Sequence, residues 1–318
     1  MPFTVPADLE PFEVLFDHSE PNPALPPELL RFVGNVGFPA PPADRPWVYA
    51  NFVQSLDGVV SFGGRRPGGE WVARSRHDRW MMDLLRAHAD ALLCGAGSLR
   101  EEAQYGTIAG GPVFRIVFPE LLHLRHQILG RAKLKNIIVS GSGQLQPSQY
   151  RLFRSEHVEA WIATTPEGFR RLARQQNVRV LVCGKGSEFD LEQLLHLLRV
   201  EHGIQYLLCE GGPTLYGHMV RGGWVNEKFV TIAPQEIGLG LPGDENSTAP
   251  EKKEPTSGEQ PVLPRRLTSF AGPGFTIETA PWYRWLSSRK AGEHEFNRYR
   301  AHPKAASGWT GRAVEIVA

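Results

Sequence analysis

Three short blocks of this chain place polar or charged groups directly after apolar runs, which is where a layered α/β protein exposes its chemistry. In the first, Glu210-Gly211-Gly212-Pro213-Thr214-Leu215-Tyr216 follows the apolar run ending in Leu207-Leu208-Cys209. Two glycines after a buried strand, with a helix starting at Pro213-Thr214, leave unpaired backbone N–H groups and the positive end of a helix beside the strand end. That suits a pyrophosphate. Glu210, the last strand residue, would face the same cleft as a partner for sugar hydroxyls, and an ordinary turn explains a carboxylate there poorly. In the second block, Leu85-Arg86-Ala87 precedes Asp90-Ala91-Leu92-Leu93-Cys94-Gly95-Ala96-Gly97-Ser98. Arg86 at a helix C-terminus is favourable for the helix dipole without any function, yet its charge and donor fork also suit a phosphate. The Gly-Ala-Gly-Ser that follows lacks the third glycine of a dinucleotide fingerprint, so a true Rossmann reading is disfavoured. The third block, Ser55-Leu56-Asp57-Gly58, either orients a ligand hydroxyl or a nicotinamide or forms an Asp-Gly turn capped by serine, and the tetrapeptide alone does not decide.

The elements that must position these groups are legible as strand, punctuation and helix in alternation. Apolar strands are expected at Trp47–Val53, Ala89–Cys94, Asn136–Val139, Glu159–Ala163, Arg179–Cys183 and Ile204–Cys209. Four of them run into paired glycines, at 95 and 97, 141 and 143, 184 and 186, and 211 and 212. Glycine at such ends lets backbone approach a ligand closely, so the pattern predicts an α/β layered domain with a cofactor edge. Helices are expected from a Ser75 N-cap through Ala87, over Leu191–Val200, and briefly near Glu28–Val33.

Around this core, residues 1–45 are proline-rich and acidic and read as an extended leader that wraps a domain over residues 46–300. Residues 243–261 contain almost nothing that can be buried and read as a disordered surface insertion. Phe275–Thr279 and Glu295–Arg300 read as closing strands, and residues 301–318 as a tail. In 318 residues, 35 Lys and Arg balance 34 Asp and Glu, which gives no basic field for nucleic acid. No apolar run is long enough for a membrane span, and Met1-Pro2-Phe3-Thr4 does not open a signal peptide. A cytoplasmic location is expected. Cys94, Cys183 and Cys209 each lie in or at the end of an apolar run, so buried thiols are expected and neither a disulfide framework nor a metal site is.

Taken in order, the blocks resemble the reductase domain of riboflavin biosynthesis, the C-terminal half of the bifunctional pyrimidine deaminase/reductase. The resemblance is carried by Asn51-Phe52-x-x-Ser55-Leu56-Asp57-Gly58, by Leu85-Arg86-Ala87-x-Ala89-Asp90-Ala91 with Gly95-x-Gly97-Ser98-x-Arg100, and by Glu210-Gly211-Gly212-Pro213-Thr214-Leu215. Asn226-Glu227, Ile232-Ala233-Pro234, Gly238 and Arg298-Tyr299-Arg300 support it. It implies a dihydrofolate reductase-like three-layer sandwich with a mostly parallel central sheet flanked by helices. It implies NADPH held by Gly211, Gly212, Pro213, Thr214, Leu215, Tyr216 and Gly217, with Gly95, Gly97, Ser98, Ser140, Gly141 and Trp71 contributing. The implied substrate is a ribosylamino-pyrimidinone 5′-phosphate met by Asn51, Ser55, Arg86 and Glu210, with Glu210 and Asp57 as catalytic groups. Hydride transfer to C1′ of the ring-opened sugar would turn ribose into a ribityl chain, in a homodimer. The sequence departs from that pattern in four places. Asn51 stands where some members have lysine, Glu101-Glu102 where an aspartate is common, and Gln104-Tyr105-Gly106 where a basic segment follows. A deaminase Pro-Cys-x-x-Cys signature is also lacking. Two other readings remain open: a reductase of the same fold acting on another small heterocycle or carbonyl compound, and a nucleotide-binding accessory protein without turnover.

Overall fold

The computed structural model describes residues 3–63, 66, 68–172, 178–238, 268–270, 274–276 and 279–302. The expected insertion at 243–261 lies outside these residues, as does all but the start of the expected tail. In chain order the strands are β1 (Glu13–Asp17), β2 (Trp47–Gln54), β3 (Ala91–Gly95), β4 (Lys135–Val139), β5 (Glu159–Thr164), β6 (Arg179–Val182), β7 (Tyr206–Cys209), β8 (Glu227–Ile232), β9 (Tyr283–Ala291) and β10 (His294–Ala301). They join in one sheet of order β1-β9-β10-β8-β2-β7-β3-β4-β5-β6. From β8 to β6 every neighbouring pair is parallel; β10, β9 and β1 extend that edge by antiparallel pairing.

Helices cover both faces, which is why the central strands read as nearly unbroken apolar runs. They are α1 (Pro27–Val33), α2 (Glu70–Ala73), α3 (Arg76–His88), α4 (Ala96–Tyr105), α5 (Pro119–His123), α6 (Pro166–Leu172), α7 (Leu191–Val200) and α8 (Pro213–Arg221). One core cluster unites α1 and α3 with Tyr49, Leu92 and Leu208; the other unites α7 and α8 with Val48, Leu93 and Leu207. The expected three-layer sandwich is therefore present. Helix α3 begins where Ser75 accepts from the Asp78 N–H at 3.3 Å. It buries Trp80, Leu84 and Leu85. Truncating Trp80, which packs on Phe12 and Phe32, would cost about 3–5 kcal/mol.

Residues near the N-terminus are woven into this framework. Strand β1 pairs with β9 across more than 250 residues of chain, and Phe3, Phe12, Leu29 and Phe32 are buried in the α3-side core. Arg289, 2 % exposed, donates to Asp17 Oδ2 at 2.6 Å, the Val33 carbonyl at 2.5 Å and the Asn35 carbonyl at 2.6 Å. Glu227, fully buried, accepts from Arg298 and Arg300, and Arg300 also reaches Glu20. A buried carboxylate with two arginines is costly to break, at about 3–5 kcal/mol.

Two local expectations change. Gly95-Ala96-Gly97-Ser98 is not a loop, because β3 passes directly into α4 with Gly97 in the first helical turn. No strand forms at the described residues Phe275, Thr276 and Thr279. The closing hairpin is β9–β10, whose second arm matches the expected Glu295–Arg300. All three cysteines are buried and free; burial raises each thiol, that of Cys209 to about 12.

Candidate active site

The C-terminal ends of β2, β3, β4 and β7 form one edge, and three of the four predicted glycine pairs, at 95 and 97, 141 and 143, and 211 and 212, lie along it; the pair at 184 and 186 follows β6. Register places Ala50 beside Cys209, so the next residues, Asn51 and Glu210, are neighbours. Tyr49 and Leu208 lie in the α3-side core, and strand alternation puts Asn51 and Glu210 on that same face. Arg86 reaches up from α3 to meet Glu210 with two charge-assisted bonds, Nε to Oε1 at 2.8 Å and Nη2 to Oε2 at 2.6 Å. Its Nη1 donates to the Arg115 carbonyl at 2.8 Å and to Asp83 at 3.4 Å. The guanidinium is thus committed and only 3 % exposed. Arg86 acts on the cleft through Glu210 rather than as the phosphate-facing cation that its type suggested.

Asp83 completes this arrangement. It is fully buried, its Oδ2 accepts from the Val117 N–H at 2.6 Å, and its Oδ1 meets Arg79 at 3.2 Å. Burial raises its carboxyl while Arg86 and Arg79 lower it. Arg79 remains partly exposed, with 39 % of its side chain accessible. Burial, then the like charge of Arg86, lowers its pKa, so it is the cation of this group with surface left for an anionic ligand.

Beside Glu210, the N-termini of α4 and α8 converge. Gly95 N–H donates to the Gly211 carbonyl at 2.9 Å, and Gly212 N–H donates to Ser98 Oγ at 3.2 Å. Neither helix has a side-chain cap, so the first-turn N–H groups stay available. A Cβ on Gly97 would meet nothing within 4 Å, whereas one on Gly212 would lie 2.5 Å from Ser98 Oγ. Gly211 takes φ +96°, a conformation that glycine tolerates, and lies against Phe52. An open cradle of backbone donors at two helix N-termini fits a pyrophosphate. The Ser140–Gly141 loop sits at the end of β4, with Thr164 Oγ1 and Thr165 Oγ1 donating to its two carbonyls. Trp71 lies half-buried on α2, with the Arg66 guanidinium 5.2 Å from its ring. Helix α2 is held over the β2 and β8 ends by Gln235, which donates to the Val72 carbonyl.

Several predicted residues have other work. Ser55 is fully buried; its hydroxyl donates to Asp57 Oδ1 at 2.5 Å and accepts from the Val59 N–H at 2.9 Å. Asp57 also accepts from the Ile237 and Gly238 N–H groups. These donors, Ser55 first, lower its pKa, which makes it a loop clamp and a poor proton source. The capped-turn reading of Ser55–Gly58 is the one realised. Tyr216 is 1 % exposed and packs on Phe52 at 4.5 Å, and Gly217 is buried behind it. Both face the sheet, so the cradle ends at Leu215. Arg79 and Asp83 were missed because their significance lies in spacing along α3: Arg79, Asp83 and Arg86 fall on one helical face.

A cavity of about 230 Å³ lined in part by Ile116, Leu134 and Val158 opens at the opposite, N-terminal ends of β4 and β5. It has no part in this edge.

Residues 46–257 match the family described as the RibD C-terminal domain. The chain belongs to that family. It is 26 % identical over 201 residues to the 2,5-diamino-6-ribosylamino-4(3H)-pyrimidinone 5′-phosphate reductase of Archaeoglobus fulgidus, covering 61 % of this chain and 83 % of that protein. It is equally identical over 196 residues to the riboflavin biosynthesis protein RibD of Escherichia coli, but spans only 49 % of it. Among solved structures, RibD of Acinetobacter baumannii superposes with a TM-score of 0.57 at 16 % identity, over 82 % of this chain and 59 % of that one. A pyrimidine reductase-like protein of Corynebacterium diphtheriae gives 0.56 at 20 % identity, over 82 % and 93 %. These superpositions show that the RibD C-terminal domain fold is shared.

Proposed function

We propose that this member of the RibD C-terminal domain family is an NADPH-dependent reductase of a ribosylamino-pyrimidinone 5′-phosphate, converting the ribosyl side chain to ribityl. The observation that carries the reading is the Asn51–Glu210 pair, with Glu210 fixed by Arg86, standing directly beside the paired N-termini of α4 and α8. Sugar recognition and phosphate recognition are then adjacent on one sheet edge. When bound, the dinucleotide supplies the hydride for C1′ of the ring-opened sugar. Backbone N–H groups of residues 96–98, 214 and 215 would hold its pyrophosphate, each helix end adding about 0.3–1 kcal/mol for an anion. Glu210 accepts hydroxyl hydrogens of the sugar and, locked in place by Arg86, fixes its orientation at little entropic cost. Asn51, half-buried and paired through its backbone in the β2–β8 ladder, donates its side-chain amide to the same sugar. Arg79 faces the substrate phosphate. We assign the protein to the cytoplasm as a homodimer, a state that would cover the exposed Leu15, Trp282 and Trp285 of the β1–β9 edge. Among the described residues no helix is long and apolar enough to cross a membrane.

The deciding experiment follows NADPH absorbance at 340 nm with the phosphorylated pyrimidine. Saturable oxidation is expected. Binding of NADPH without oxidation would move the substrate elsewhere, and no binding at all would end the reductase reading.

A further inference from the structure

The cavity at the N-terminal ends of β4 and β5 is lined by a buried charge. Arg125 borders it and is only 2 % exposed. It sits on the π-helical turn Leu124–Ile128 that follows α5. Its Nε donates to the Ala132 carbonyl at 2.7 Å, and Nη1 donates to the carbonyls of Arg86 at 3.0 Å, Ala87 at 3.3 Å and Ala89 at 2.5 Å. Nη2 has no hydrogen-bond partner among the described residues, and unlike the sealed Arg131 Nε and Arg298 Nη1 it keeps accessible surface. It is the nitrogen left for the cavity. All four acceptors are neutral, so the cation lacks a counter-ion. Asp90, the carboxylate whose charge favours it, is already bonded to Arg131 and to the Gln205 and Tyr206 N–H groups. Burial, then the like charge of Arg131, holds the guanidinium down at about 10. A buried cation without a partner is costly, and an anion in the cavity would remove that cost.

The rest of the lining says which anion. Ile116, Leu134 and Val158 are buried apolar walls, and the exposed rim carries Lys133, His126 and His157 against one carboxylate, Glu156. A volume of about 230 Å³ exceeds the roughly 150 Å³ that holds benzene and falls short of the roughly 300–1,000 Å³ of sites for drug-sized ligands. One ring or a short chain bearing a carboxylate or phosphate fits, and a nucleotide does not. The cavity also adjoins the supports of Arg86. Arg125 holds the C-terminal end of α3 through the Arg86 and Ala87 carbonyls, and the wall residue Ile116 follows Arg115, whose carbonyl accepts from Arg86 Nη1 at 2.8 Å.

We propose that this cavity is an effector site for a small organic anion, anchored by Arg125 and coupled through Arg86 to Glu210. The coupling rests on Glu210 meeting substrate, as proposed above; the anion site does not. Linkage is reciprocal, so whatever factor the anion imposes on substrate affinity, substrate imposes on the anion.

Calorimetric titration with benzoate and phenyl phosphate tests the site, with benzamide and inorganic phosphate as the neutral and ring-free controls. Both organic anions should bind once per chain, and the tighter of the two identifies the acid group. Benzamide should bind at least about tenfold more weakly for want of a charge-assisted hydrogen bond, and inorganic phosphate likewise for want of apolar burial. Arg125→Met should lose at least about tenfold in benzoate affinity. Because that variant also strips four carbonyls of a donor, the exposed Lys133→Glu serves beside it and should weaken binding about two- to fivefold. Arg79→Ala should leave benzoate unaffected; a loss there would put the ligand at the other sheet edge and overturn the cavity site. No saturable binding, benzamide matching benzoate, or wild-type affinity in Lys133→Glu would overturn it too. Saturating phosphorylated pyrimidine should change the benzoate Kd at least twofold, and an unchanged Kd while the pyrimidine itself binds would overturn the coupling. Should the pyrimidine not bind at all, the reductase reading falls and the coupling with it, while the benzoate titration alone still decides the anion site.

Discussion

If Arg86 and Glu210 work as one buried unit, their removal must be strongly non-additive. Arg86→Met deletes both bonds to Glu210 and the bond to the Arg115 carbonyl. It also strands the Glu210 carboxylate, with 9 % of its side chain exposed, and takes one of two arginines from the fully buried Asp83, which keeps Arg79 and the Val117 N–H. Breaking one side of a buried pair costs about 3–5 kcal/mol, against a whole-domain stability of about 5–15 kcal/mol. Glu210→Leu leaves the Arg86 guanidinium buried with only Asp83 and one carbonyl, a penalty of the same order. Independent costs would sum to roughly 6–10 kcal/mol. Removing both charges together takes away the desolvated pair as a whole, leaving mainly Asp83 short of a partner, and should cost no more than about 3–5 kcal/mol. Urea denaturation at pH 7.5 of wild type, both single variants and the double variant measures this, provided the slope with denaturant is unchanged. An interaction energy of about 3 kcal/mol or more is expected. Costs that add within about 0.5 kcal/mol would refute the pair as a unit, and with it the claim that Arg86 serves the cleft through Glu210.

Glu210→Gln should lower turnover far more than NADPH affinity in the 340 nm assay; equal losses would assign Glu210 to the cofactor. Gly212→Ala forces a Cβ to 2.5 Å from Ser98 Oγ and should weaken NADPH at least tenfold by fluorescence titration. Gly95→Ala, whose Cβ meets only ordinary contacts at 3.8 and 3.9 Å, should leave the fold intact. Glu102 is raised to about 7, by burial first and then by Glu70 and Glu101. Its folded pKa exceeds the unfolded value, so the folded state binds the extra proton and stability falls as pH rises from about 4.5 to about 7. Glu102→Gln should therefore gain about 1–2 kcal/mol at pH 8, after allowing for partial exposure, and show a flatter melting profile between pH 5 and 8.

Legibility in the sequence followed the range of the interactions involved. Helix α7 matches its expected bounds, and α3 its expected cap, because amphipathic spacing and a serine N-cap are local signals. Strand β1 was hidden, since Val14-Leu15-Phe16 sits among prolines and acidic residues and gains its partner only from β9. The β9 arm of the hairpin was hidden for a related reason: Ser287, Ser288 and Arg289 are buried there, so the strand carries polar residues inward and lacks an apolar run. Gly97 misled in the opposite direction. A glycine in a helix interior costs about 1 kcal/mol against alanine, and no close contact requires one at Gly97, where a Cβ would meet nothing within 4 Å.

The site divides in the same way. Glu210 and the glycine cradle were readable because each is a strand-end feature within a few residues of chain. The role of Arg86 was not, because its partners lie at positions 83, 115 and 210 and only the folded sheet brings them together. A guanidinium beside a cleft looks the same in sequence whether it awaits a phosphate or holds a carboxylate. What separates the two is whether its donors are already taken, and burial at 3 % with contacts of 2.6–2.8 Å decides for the carboxylate. The same reasoning points to Arg79. Seven residues from Arg86 on the same helical face, it commits Nη2 to Asp83 and the Arg115 carbonyl but keeps more than a third of its side chain accessible.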